Sequence, residues 1–440
     1  MIVHLLKIKK MEHVVIIGNG VAGVTAAKNL RKLSTSTITI ISSESKYFFS
    51  RTALMYVFMG HMKFNHIEPY ESNFWKKNNI NLIQKEVIEV KTNQNLILFQ
   101  DNSSLKYDKL VIATGSKSNK LGWKNQDSNS VLGLYHKQDL EKLEQLAVNC
   151  KHAVVVGGGL IGIELVEMLM SRNIGVTFLI REKSFWNSVL PKGESELITK
   201  HLLEHQVDLR LETTLDEIMV DENGATTAIK TSSGEIINCS IVGLTVGVSP
   251  NIDFLKNSTI DTKKGITVNR YLQTSVANVY AIGDCAEQEQ AIGQRQPIEA
   301  VWYTGKMMGE TVAQTLAGKP MQYNPGNWFN SAKFFDIEYQ TYGWVFAIPL
   351  QNEAQFYWEH PSVKIAVRIS FDKNNHTFLG INTFGIRMRH EFFDRVLNEA
   401  KSVDYVIQNL SKANFDPEFF TQYDSAIQKA FQQHYCLQAI

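Results

Sequence analysis

Gly18, Gly20 and Gly23 fall two and three residues apart directly after the apolar run Val14-Val15-Ile16-Ile17, and Glu44 stands just past a second apolar run over 38–41. Glycines at this spacing suit one kind of chemistry. The first allows a tight turn, the second lets backbone approach a pyrophosphate, and the third packs a helix closely on the strand before it. The phosphates then meet the free N–H groups of a helix N-terminus, here with Val21 and Ala22 in its first turn, where the dipole favours negative charge. An acid about twenty residues further on is placed to bind an adenosine ribose. The pattern predicts strand, turn, helix and strand around a bound dinucleotide. A glycine-rich surface turn is the plainer alternative, and it leaves the second strand and its acid unexplained.

The same arrangement returns from His152: Ala153-Val154-Val155-Val156, then Gly157, Gly159 and Gly162 with Leu160 and Ile161 between them, a helix over 163–171 and a strand over 176–180. Two dinucleotide folds in one chain imply two dinucleotides. A flavin and a nicotinamide cofactor are the natural pair, because hydride passes readily between them and the protein need only stack the rings. After the second strand comes Arg181-Glu182-Lys183 in place of a lone acid. An arginine pairs with a ribose 2′-phosphate and an acid with a free 2′-hydroxyl, so Arg181 leans toward NADPH while Glu182 keeps NADH open. A solvated charged loop is the alternative reading.

Three further stretches have chemical potential. Ala113-Thr114-Gly115 ends an apolar run on small residues, as suits a backbone passing under a ligand. Gly247-Val248-Ser249-Pro250-Asn251 follows a strand near 241–246, and Val279-Tyr280-Ala281-Ile282-Gly283-Asp284 delivers an acid to an expected helix start. Asp284 can accept hydrogen bonds from a polyol or cap that helix. The aromatic stretch over 47–62, which includes Ser50-Arg51-Thr52-Ala53-Leu54-Met55-Tyr56, has no cysteine.

At 440 residues the chain is too long for one core and predicts two or three domains. With 45 Lys+Arg against 44 Asp+Glu, nothing points to bulk nucleic-acid binding. Cys150, Cys239, Cys285 and Cys436 are far apart, which excludes a Cys-x-x-Cys pair and a disulfide framework and makes the cytoplasm the simplest compartment. The first ten residues read as a disordered extension or an early start codon before Met11. The longest apolar segment, 153–170, holds four glycines and two glutamates, so no stable membrane insertion is expected. Strand-like runs are expected over 81–90 and 96–99, a polar linker over 117–130 and a helix over 299–316. Beyond Pro320 aromatic, alternating runs over 354–358, 363–371 and 378–384 precede a helical tail from Glu391, ending in 419–435, which together read as an α+β domain. Core and subunit contacts are the expected roles of its aromatics.

The order of these motifs resembles the FAD-dependent pyridine-nucleotide-disulfide oxidoreductase superfamily over residues 11–320. The resemblance implies an α/β fold with two Rossmann-like domains, glutathione-reductase-like, the second inserted in the first, plus a C-terminal α+β domain at a subunit interface. The implied boundaries are 1–10 extension, 11–122 FAD domain, 123–240 NAD(P) domain, 241–320 FAD domain resumed and 321–440 C-terminal domain. FAD would be held by Gly18, Gly20, Val21, Ala22, Gly23, Glu44 and Arg51, with Ala113, Thr114, Gly115, Gly247, Gly283 and Asp284. NAD(P)H would be held by Gly157, Gly159, Leu160, Ile161, Gly162 and Arg181, with Glu164 near the nicotinamide. Arg51 and Glu164 are the expected catalytic residues, and no metal is expected.

Disulfide reductases of this superfamily carry a cysteine pair, and coenzyme A disulfide reductases or NADH peroxidases a single cysteine, where this chain has residues 50–56. Without a thiolate, disulfide and peroxidatic chemistry lack their nucleophile. Cys285 reads as a small buried residue. The segment with Arg51 and Leu54 is similar to the ferredoxin, rubredoxin and nitrite reductase branch, although Thr52 replaces a proline and Met55-Tyr56 a Ser-Lys. What this implies is an NAD(P)H oxidoreductase that passes electrons to a small carrier protein or quinone, with a homodimer left open. A type II NADH:quinone dehydrogenase and an apoptosis-inducing-factor-like redox switch are the alternatives.

Overall fold

The computed structural model describes residues 11–438, so the expectation for the first ten residues lies outside it. The chain divides into two compact units. One comprises residues up to 119 with 133–145 and 247–325; the other comprises 120–132, 146–246 and 326 onward.

In the first unit five parallel strands lie in the order Val279–Ala281, Lys109–Ile112, His13–Ile17, Thr37–Ser42, Ile80–Gln84. These strands are nearly continuous runs of Val, Ile and Leu, as a sheet covered on both faces requires. Val14, Val15, Ile16, Ile38, Leu110 and Val111 are fully buried, each worth about 1.5–3 kcal/mol over an exposed side chain. Helices Val21–Leu33 and Trp302–Leu316 cross so closely that a Cβ on Gly309 would lie 2.5 Å from the Ala22 carbonyl oxygen.

The second unit repeats this plan. Its parallel strands run Asp208–Arg210, Gly175–Leu179, His152–Val156, Ile241–Leu244, Val131–Leu132, with helix Leu160–Ser171 after the central strand. The same unit holds an antiparallel sheet in the order Phe329–Phe334, Ile337–Gly343, Phe378–Phe384, Ala366–Asp372, Glu353–Glu359. Helix His390–Asn398 lays Phe392, Phe393 and Val396 on it, with Val403–Gln408 and Asp424–Gln438 following. The tail is helical as expected, but its last helix starts at Asp424; Phe419 lies before it and is exposed.

Two expectations need correction. The run over 81–90 is two strands in different sheets: Ile80–Gln84 joins the parallel sheet, whereas Val87–Lys91 pairs antiparallel with Leu96–Phe99. The polar pair Lys85-Glu86 separates them. Gly283–Cys285 is a single 3-10 turn without a side-chain cap, and the helix begins only at Trp302, so Asp284 caps nothing. Among the described residues no helix is long and apolar enough to cross a membrane.

Candidate functional site

Gly18 has a φ of +112°, and a Cβ there would sit 2.0 Å from the Ala113 carbonyl oxygen. A Cβ on Gly23 would sit 2.1 Å from the Gly18 oxygen. Strand, turn and helix therefore interlock backbone to backbone, and no side chain fits at either position. Gly20 differs: a Cβ there meets nothing within 4 Å. It is the N-cap of helix Val21–Leu33, which has no side-chain cap and no acid in its first turn. Open space in front of unsatisfied N–H groups at a helix N-terminus fits a pyrophosphate.

Glu44 is more heavily used than its sequence position predicts. Its Oε1 accepts from Arg51 Nη1 at 2.9 Å and from the Lys137 N–H at 2.8 Å, and its Oε2 accepts from Arg51 Nη2 at 2.6 Å. Burial raises its pKa, but His136, Arg51 and the Lys137 N–H outweigh burial and hold it at about 2. Arg51 also donates to the Tyr135 carbonyl and packs its guanidinium over the Tyr135 ring at 4.7 Å. Arg51 and the Lys137 N–H take three of the roughly four acceptor positions on the carboxylate, and His136 Nδ1 lies 3.7 Å from Oε1.

Asp284 lies on the same network. The Tyr135 hydroxyl donates to Asp284 Oδ2 at 3.1 Å and accepts the Ser116 N–H at 2.9 Å. Burial pushes the Asp284 carboxyl up, against the pull of Tyr135 and Arg51. Thr114 Oγ1 donates to the Asn251 carbonyl at 2.7 Å and the Asn251 N–H donates to Gly115 at 2.9 Å, which ties the two small-residue motifs together. Gly115 and Gly247 both have positive φ, at +66° and +90°, on either side of the strand pair Ser116–Ser118 and Val248–Pro250. Gly283, φ +74°, rests against Ala22. Tyr135, His136 and Lys137 join this network of candidate residues without having been singled out in the sequence. Their one signal is Asp139, whose carboxylate accepts the N–H groups of Tyr135 and His136 at 2.9 and 2.8 Å.

The second unit holds the second turn. Gly157 has φ +114° and a Cβ there would lie 2.5 Å from the Thr245 carbonyl oxygen; a Cβ on Gly162 would lie 2.1 Å from the Gly157 oxygen, and one on Gly159 meets nothing. Leu160 and Ile161 open the helix, which again has no side-chain cap. These residues fit a second dinucleotide by the same test. Burial, then the charge of Glu167, pushes Glu164 up to about 7. Arg181 is exposed, and its Nε donates to Glu182 Oε1 at 2.7 Å.

This doubled geometry agrees with the comparison to known proteins. The model of the pyridine nucleotide-disulphide oxidoreductase family matches residues 12–312. The chain belongs to this family. It is therefore an oxidoreductase with FAD and NAD(P)H as cofactors. The chain is 31% identical to the NADH-rubredoxin oxidoreductase of Clostridium acetobutylicum over 289 residues, 63% of this chain and 69% of that protein. It is 28% identical over 323 residues to the assimilatory nitrate reductase electron transfer subunit of Bacillus subtilis, where it spans 72% of its own length and 41% of that protein. In fold it is similar to the NAD-dependent persulfide reductase of A. fulgidus, with a TM-score of 0.84, 20% identity and coverage of 96% of this chain and 83% of that one. The ferredoxin reductase for the CYP199A2 system of Rhodopseudomonas palustris gives 0.78 at 22% identity, over 85% and 91%.

The family takes its name from disulfide chemistry, and this oxidoreductase lacks the thiol for it near the first turn. Residues 51–58 fold as a 3-10 turn, Arg51–Ala53, and a short helix, Leu54–Phe58, with no cysteine. Cys150, Cys239 and Cys285 are free and buried. Burial raises the Cys285 thiol, which lies 3.3 Å from the Ile282 carbonyl oxygen and packs as a small core residue.

Proposed function

We propose that this oxidoreductase draws reducing equivalents from NAD(P)H through FAD and delivers them to a separate one-electron carrier of the rubredoxin or ferredoxin kind. The observation that carries the reading is the Arg51 segment: a charged, hydrogen-bonded arginine stands where a family disulfide reductase needs a thiol. Without a thiolate in this segment there is no covalent relay beside the first turn, and the electrons are proposed to pass on to another molecule. The named relatives support the choice of acceptor, since NADH-rubredoxin oxidoreductase and the rubredoxin-NAD(+) reductase of Pseudomonas putida are among them.

The glycine turns with Val21–Ala22 and Leu160–Ile161 hold the two pyrophosphates on bare helix N-termini. Glu44, fixed by Arg51 and the Lys137 N–H, offers its remaining acceptor position to a ribose. Asp284, held by Tyr135 and Ser116, and the Thr114-Gly115 backbone take the polyol side of the flavin. FAD supplies the step from two-electron to one-electron chemistry. Glu164, with a pKa near neutrality, holds or releases a proton beside the nicotinamide. Arg181 favours NADPH slightly over NADH, because its guanidinium keeps donors free of Glu182.

Anaerobic mixing of the flavin-loaded protein with NADPH and with NADH tests this. Rapid bleaching of the flavin without a long-wavelength thiolate band is expected, followed by reduction of an added rubredoxin or ferredoxin. Flavin-loaded protein that reduces neither these carriers nor an artificial one-electron acceptor sinks the proposal.

A further inference from the structure

Helix Lys192–Glu204 and its C-cap residue place His201 and His205 one turn apart, so their rings share a face, with centroids 4.3 Å apart. Facing them is Asp336, in the two-residue loop that joins strands Phe329–Phe334 and Ile337–Gly343 of the same unit. Its Oδ1 lies 2.7 Å from His201 Nε2 and 3.6 Å from His205 Nε2, and one ligand atom from each of the three residues lies within 4.8 Å of the others.

The 2.7 Å distance alone suits a direct pair, but the second histidine and the poor alignment of that contact suit a shared centre. A tetrahedral ion with bonds of about 2.0–2.1 Å separates its ligand atoms by about 3.3 Å, between the two nitrogen–oxygen distances. His201 is fully buried, and its Nε2 faces Asp336 Oδ1 at a poor angle for a hydrogen bond, so the carboxylate lies off the ring nitrogen's own direction. The loop is itself strained: Phe335 has φ +55°, rare for a bulky residue, and its ring packs on His205 at 4.6 Å. The strain delivers Asp336 to the histidine pair.

We propose that His201, His205 and Asp336 form a binding site for one divalent transition-metal ion of the zinc class, which pins helix Lys192–Glu204 to the Phe329–Gly343 hairpin. Two imidazoles and one carboxylate suit zinc and exclude the hard, oxygen-seeking calcium and magnesium. Asp336 is 75% exposed, which leaves the fourth position to water.

Lys364 sets the competing state. Its ammonium donates to His201 Nδ1 at 2.6 Å and pairs with Glu204 at 2.5 Å. Without metal, therefore, the His201 proton sits on Nε2. Metal binding at Nε2 moves that proton to Nδ1, and Lys364 must turn to Glu204 alone. A ligating histidine is steadied when its other N–H donates to an oxygen, so Lys364→Gln, whose amide oxygen can accept that proton, tightens the site.

The test titrates Zn²⁺ into the flavin-loaded full chain after EDTA treatment, by calorimetry and by thermal melting. One ion per chain and a raised Tm are expected. His201 is avoided because it is a core residue. Asp336→Asn and His205→Ala should weaken binding about tenfold or more and remove the rise in Tm, whereas Lys364→Gln should strengthen binding and Mg²⁺ should do nothing. Failure of the parent chain to bind Zn²⁺, or unchanged affinity in both Asp336→Asn and His205→Ala, overturns the proposal.

Discussion

The two glycine turns of this oxidoreductase agree to the level of single hydrogen bonds. Gly18 N–H donates to Ile41 and Gly157 N–H to Leu179, at 2.7 and 3.0 Å. Ala113 N–H donates to Ile17 and Thr245 N–H to Val156, at 2.7 and 2.9 Å. Even the histidine that opens each central strand is matched, with His13 on Thr39 at 2.8 Å and His152 on Thr177 at 2.9 Å. They part after the second strand. There Glu44 is locked by Arg51, His136 and Lys137, whereas Arg181 is exposed and donates to its neighbour Glu182. The turn proposed to bind phosphate is fixed by backbone geometry, and the residue proposed to read the ribose is free to differ.

Breaking the turns themselves should have the largest effect. Gly23→Ala and Gly162→Ala each drive a methyl to within 2.1 Å of a carbonyl oxygen, overpacking that typically costs about 1–3 kcal/mol and here displaces the helix N-terminus. Gly23→Ala protein should purify without flavin. Gly162→Ala protein should stay yellow but no longer be bleached by NAD(P)H. If Gly162→Ala lost flavin while Gly23→Ala kept it, the assignment of cofactors to turns would be reversed.

The two acids next to these turns should respond to pH with opposite signs. Glu44 is held at about 2 against an ordinary 4.5, so its contribution is present above about pH 4.5 and is lost as pH falls toward 2. Glu164 is raised to about 7, so burying it costs nothing below about pH 4.5, and stability falls as pH rises from there through 7. Each gap corresponds to at most about 3.4 kcal/mol. In thermal melts of flavin-stripped protein at pH 7, Glu44→Gln should destabilise and Glu164→Gln should stabilise. A stabilising Glu44→Gln would show that burial, not the Arg51 pair, governs Glu44, and a destabilising Glu164→Gln would show that burial does not govern Glu164.

Such contrasts explain which parts of the site could be read from the chain. The turns were legible because close backbone approach admits only glycine, so geometry writes directly into residue type. Glu44 and Asp284 were legible as acids at the ends of strands, but their partners were not. Tyr135 comes from a segment more than eighty residues after Arg51, and nothing in its local sequence states that its hydroxyl will meet Asp284. The break between Gln84 and Val87 was missed because apolar periodicity spans both strands, while the choice of sheet depends on partners distant in sequence. Capping was one of two roles open to Asp284, because a Gly-Asp after a strand resembles a helix start; the chain makes one 3-10 turn there and continues extended through Ala286–Gln288.

The smallest expected effect separates the two ribose sites most finely. Arg181 has 77% of its side chain in solvent, so water and salt screen any charge it meets. A hydrogen bond to a charged group is worth about 1.5–3 kcal/mol, and screening sets the expectation at the lower end, about a tenfold loss of NADPH affinity in Arg181→Ala with NADH nearly unchanged. Glu182→Ala sharpens the point. It frees the Arg181 Nε and removes an acid that would repel a 2′-phosphate, so NADPH should bind more tightly while NADH, deprived of a hydroxyl acceptor, binds more weakly. Affinities measured for both nucleotides in both variants form a closed set. Equal losses for the two nucleotides in Arg181→Ala would make this loop a general contact, and the nucleotide preference would then have to come from elsewhere in the second unit.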